Sequence, residues 1–76
     1  MEKECKIRLS AAEQVHEFVN AAGRCEFDID VFYNRVIIDA KSILGVLSLD
    51  LTKILTVKYG GKDRDFETTL QKYCVA

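Results

Sequence analysis

Lys41-Ser42-Ile43-Leu44-Gly45-Val46-Leu47-Ser48-Leu49 stands near the middle of the 76-residue chain, and its reading decides the rest. Ser42 precedes an apolar run, the place of an N-cap whose hydroxyl accepts a hydrogen bond from a free amide of the first helical turn. A short helix is therefore predicted. Ile43, Leu44, Val46, Leu47 and Leu49 are too many apolar residues for one buried stripe on so short an element, so some of them should be exposed. Gly45 costs a helix about 1 kcal/mol relative to Ala, which fits a need for close packing or an early stop.

Upstream, Phe27-Asp28-Ile29-Asp30-Val31-Phe32 alternates strictly and predicts a strand with one face buried and its acids on the other. Tyr33-Asn34-Arg35 turns the chain into Val36-Ile37-Ile38, a hairpin. Before it, Val15, Phe18, Val19 and Ala22 form a helical apolar stripe, with Glu13, Glu17 and Asn20 toward water and Gly23 as a stop. Ser10-Ala11-Ala12-Glu13 has the form of a capping box at the start of that helix. Cys5-Lys6-Ile7-Arg8-Leu9 alternates as a first strand. Downstream, Ile54 to Tyr59 predicts a strand, Gly60-Gly61 a loop, and Asp63 the cap of a last helix with Phe66, Leu70 and Tyr73 or Cys74 inward. The order β-α-β-β-α-β-α predicts an α+β two-layer open-faced sandwich, with three helices on one face of a four-stranded antiparallel sheet.

A chain of this length buries roughly 60% of its unfolded surface, so residues 1–76 are expected to make one small domain. Eleven basic and twelve acidic residues give a net charge of -1 without a basic cluster, which argues against nucleic acid as a partner. The charged start, Met1-Glu2-Lys3-Glu4-Cys5-Lys6, is unlike a signal peptide, and no run reaches membrane-spanning length, so a cytoplasmic location off the membrane is expected. Cys5, Cys25 and Cys74 are odd in number and widely spaced, and are expected to be reduced thiols used as small hydrophobes. No cysteine pair or histidine cluster offers a metal site, and no cofactor is implied. Gly60-Gly61-Lys62 lacks the rest of a phosphate-loop pattern.

The segment Lys41 to Leu49 resembles the stretch around the regulatory serine of HPr, the histidine-containing phosphocarrier of the bacterial phosphoenolpyruvate:sugar phosphotransferase system. Lys-Ser at the helix start, and Gly and Ser at their offsets, carry the likeness, and the flanking elements keep the family's order. The resemblance implies the HPr-like sandwich, makes Ser42 a candidate for regulatory phosphorylation, and makes Ile43, Leu44 and Leu47 a protein-docking patch. It also implies a histidine just before the first helix, in a Gly-Leu/Ile-His-Ala-Arg-Pro loop. Here Leu9-Ser10 runs straight into Ala11-Ala12-Glu13-Gln14, without that Gly, His, Arg or Pro.

His16 is the sole histidine and falls in the second helical turn, beyond the free amides and among Glu13, Glu17 and Asn20. Those neighbours suit a phosphoryl acceptor poorly. The expected function is a non-catalytic, HPr-like regulatory or protein-binding module that docks through residues 43–49 and is not an enzyme. The alternatives are a divergent phosphocarrier using His16 and a structural self-association domain, and the oligomeric state stays open.

Overall fold

The computed structural model describes residues 2–75; Met1 and Ala76, the ends of the expected 1–76 domain, lie outside the described residues. The elements run β1 (Lys3–Ile7), α1 (Ala12–Gly23), β2 (Ile29–Tyr33), β3 (Val36–Asp39), α2 (Ile43–Leu47), β4 (Leu55–Tyr59) and α3 (Arg64–Tyr73). The strands form one antiparallel sheet in the order β1-β4-β2-β3, with the helices on one face. Element order and architecture agree with the sequence.

Pairing sets where each strand begins and ends. Ile7 pairs with Leu55 at the start of β4, so β1 stops there although the alternation continues to Leu9. Leu9 is nevertheless fully buried. At the other end Ile29 faces Tyr59, the last residue of β4, which leaves Phe27 and Asp28 outside β2. In the hairpin Tyr33 pairs with Val36, and Asn34 between them takes φ 53°, a left-handed conformation that asparagine tolerates better than most residues.

The inward faces of the strands contribute Ile7, Ile29, Val31, Leu55 and Val57 to one core with Val15, Phe18, Val46, Phe66 and Leu70 from the helices. Phe66 of α3 links the layers, with its ring edge-on to Tyr59 at 5.2 Å and tilted against Phe18 at 6.1 Å. On the open face Lys58 lies 4.0 Å from the Glu4 carboxylate and 4.9 Å from the Phe32 ring centre, so charge and aromatic surface cover the sheet there.

Candidate functional site

The turn from β3 into α2 is built by short polar side chains. Asp39 accepts from the Lys41 amide through its carboxylate at 2.9 Å and from the Ser42 amide through its carbonyl at 2.9 Å. Lys41 reaches back to the Cys25 carbonyl at 2.9 Å, tying this turn to the end of α1. Ser42 has extended backbone angles, φ -97° and ψ 106°, and its hydroxyl accepts from the Gly45 amide, which is the cap expected from the sequence. At the far end the Ser48 hydroxyl donates to the Gly45 carbonyl at 2.6 Å, and the helix closes after five residues.

On this short helix the apolar side chains divide. Val46 is fully buried, and Leu49, just past the helix, is nearly so. Leu44 is 79% exposed and Leu47 40% exposed. They are three residues apart and so share a helical face. Ile43 is partly buried and packs against the core.

The start of α1 differs from the capping box expected at Ser10 and Glu13. Ala11 is the N-cap residue, with φ -146° and ψ 156° and no side-chain cap. Gln14 occupies Ser10 instead: its carboxamide oxygen accepts from the Ser10 amide at 2.8 Å and from the Ser10 hydroxyl at 3.1 Å. With its hydroxyl engaged as a donor to Gln14, Ser10 lies one residue outside the cap position. α1 does end at Gly23, the stop read from the sequence, but with a right-handed Arg24 at φ -84° as the C-cap in place of a left-handed glycine. His16 is exposed in the second turn, while Glu17 turns away from it toward α3. The Glu17 carboxylate accepts from Lys72 at 2.6 Å and from the Tyr73 hydroxyl, while its side chain, 41% exposed, still meets water as the sequence suggests. These bonds, Lys72 first and then Tyr73, hold its carboxyl below the ordinary value of 4.5.

No protein-family model and no curated protein sequence matches the chain. Among solved structures it resembles a phosphocarrier protein HPr from Bacillus anthracis str. Ames, with a TM-score of 0.71 and 24% identity, covering 96% of this chain and 95% of that one. HPr-C-His from Thermoanaerobacter tengcongensis matches with the same TM-score of 0.71 and 23% identity, over 95% of this chain and 92% of that one. The fold is that of HPr. At this identity the likeness establishes architecture, and what the HPr fold does in this chain has to be argued from its own residues.

Placed on the HPr fold, Ser42, Ile43, Leu44 and Leu47 come together on and beside α2, whereas His16 lies on a different element, α1. Among the described residues no group of three or more His, Cys, Asp or Glu side chains could hold a metal ion, and no helix is long and apolar enough to cross a membrane. An open depression of about 260 Å³ lies between the end of α1 and the start of α3, lined by Arg24, Glu26, Phe27, Lys62 and Asp63. Its two bases face two acids, and Asp63 already accepts from the Phe66 amide at 2.9 Å as the cap of α3.

One pairing carries no signal in the sequence. Cys5 and Cys74 are free thiols, as the sequence leads one to expect, but their sulfurs lie 2.7 Å apart. Sixty-nine positions separate them in the chain, so no local spacing could have signalled the contact. Cys25 behaves as expected, a buried thiol.

Proposed function

We propose that this chain is a phosphotransferase-system-related, non-catalytic module on the HPr fold, which binds a protein partner through the exposed apolar face of α2. The observation that carries the reading is the exposure of Leu44 at 79% on a helix whose Val46 is fully buried. The fold needs only one side of α2 for its core, and Leu47 extends the other side into a surface that water alone would disfavour. The Ser42 cap and the Asp39 turn fix the start of the helix that carries that surface, which lowers the ordering required on docking.

Ser42 is the modification site on this surface. A phosphoryl group there would add close to two negative charges beside Leu44 and Leu47, changing which partners the face accepts. His16, exposed beyond the first turn of α1 with Glu13 on the same helix, is a surface residue in this reading rather than a phosphoryl acceptor.

The test uses the purified chain with phosphoenolpyruvate and the general phosphotransfer enzyme, together with binding titrations against proteins of the same transfer system. The expected results are no acid-labile phosphate on His16, and saturable binding that Leu44→Asp weakens at least tenfold while the chain stays folded. Phosphate on His16 overturns the reading in favour of a divergent phosphocarrier. A dimer that Leu47→Glu disperses overturns it in favour of self-association.

A further inference from the structure

Segment 73–75 lies along the outer edge of β1. The Arg8 amide donates to the Tyr73 carbonyl at 3.0 Å, and the Val75 amide donates to the Lys6 carbonyl at 2.8 Å. Those bonds bracket an isolated antiparallel bridge between Ile7 and Cys74. They bring the Cys74 side chain over β1 toward Cys5, one inward position before Ile7. The resulting 2.7 Å between the sulfurs is much closer than ordinary van der Waals contact and not far from the roughly 2.05 Å of a disulfide. Both are free thiols, Cys5 half-buried and Cys74 exposed.

We propose that Cys5 and Cys74 are a redox modification site, a dithiol that hydrogen peroxide converts to a disulfide and a thiol reductant restores, fastening segment 73–75 to β1. This rests on the sulfur geometry and is independent of the docking role of α2. Cys74, in reach of solvent, reacts first: its thiolate attacks a peroxide oxygen, and the O–O bond breaks. The departing hydroxide takes up the proton the thiol released, leaving water and a sulfenic acid on Cys74. The Cys5 sulfur then attacks the Cys74 sulfur; the S–S bond forms as the S–O bond breaks. The second hydroxide leaves as water with the Cys5 proton. The two electrons lost by the sulfur pair are gained by the peroxide oxygens.

The environment assigns the order of events. Cys74 is exposed and Cys5 only partly so, and burial, then the contact with Cys74, pushes the Cys5 thiol up to about 12, so Cys74 meets a solvent oxidant first and Cys5 reacts with it by proximity. Cys25 lies buried in the core, and burial raises its thiol as well. It serves as an internal control that should stay reduced.

The experiment treats the full chain with hydrogen peroxide, blocks remaining thiols with an alkylating reagent under denaturing conditions, and maps the peptides by mass. The expected product carries one alkyl group, on Cys25, and a peptide linking Cys5 to Cys74; prior reduction restores three alkyl groups. Its Tm should rise by at least about 10 °C over the reduced chain, because the bridge closes a loop of nearly the whole described length. Cys25→Ser should keep both results, and Cys74→Ser should lose both. Three alkylated thiols after peroxide, over-oxidised Cys74 beside a free Cys5, a bridge between two chains, or a bridge that leaves Tm unchanged would each overturn the proposal.

Discussion

Gly45 lies so close to Ile38 that a Cβ added to it would stand 2.6 Å from the Ile38 Cγ2 methyl group. It would also meet the Ser42 hydroxyl at 3.0 Å, so the glycine sets how closely α2 approaches β3. Gly45→Ala gains about 1 kcal/mol of helix propensity but forces a stiff β-branched side chain aside, an overpacking that costs about 1–3 kcal/mol. Net destabilisation is expected. Urea unfolding of Gly45→Ala, Ile38→Ala and the double variant should show the double losing less than the sum of the singles by at least about 0.5 kcal/mol.

Ser42 acts on stability through one hydrogen bond, from the Gly45 amide at 3.1 Å. Ser42→Ala should cost about 1 kcal/mol, while Ser42→Asp, which retains a capping oxygen, should stay within about 0.5 kcal/mol of wild type. Thermal and urea unfolding read both. Equal losses in the two variants would show that the cap is not what the serine contributes.

Leu44 and Leu55 separate surface from core. Leu55→Ala removes a fully buried side chain from the interior strand β4 and should cost about 2–5 kcal/mol. Leu44→Ala, at 79% exposure, should change the urea midpoint by no more than about 0.5 kcal/mol equivalent. A large loss at Leu44 would mean that this leucine supports the fold.

The Glu17 cluster predicts opposite effects at the two ends of the pH scale. Glu17 is held below its ordinary value of 4.5, so its contribution is present above that pH and is lost as the pH falls through the lowered value. Glu17→Gln should flatten the acid limb of a stability profile. Tyr73 is pushed from 10.0 up to about 12, by burial first and then by its bond to Glu17. Its contribution is present below about 10 and is lost as the pH rises through about 12. Tyr73→Phe should flatten part of that alkaline loss, and an absorbance titration of tyrosinate should place the removed group near the top of the range. Cys5, Tyr59 and Cys25, whose pKa values burial also raises, should sustain the remainder.

Periodicity and turn chemistry were enough to establish the element order, the antiparallel sandwich, the caps at Ser42 and Asp63 and most inward residues, because each depends on neighbours within a turn of helix or a few residues of strand. They also showed that α2 carries more apolar residues than a core can take. Which of those emerge was decided by packing: β3 and the core take Val46 and part of Ile43, leaving Leu44 and Leu47 outside. Register decided where β1 and β2 end, since a strand needs a partner as well as an alternating pattern. At Ser10 the capping-box pattern is displaced by one residue: the helix is capped at Ala11, so Gln14 and not Glu13 is the third helical residue and reaches back to Ser10. The ties of Glu17 to Lys72 and Tyr73 and of Cys5 to Cys74 belong wholly to the tertiary structure. They join distant parts of the chain, and only the return of α3 and segment 73–75 across α1 and β1 brings those atoms within reach.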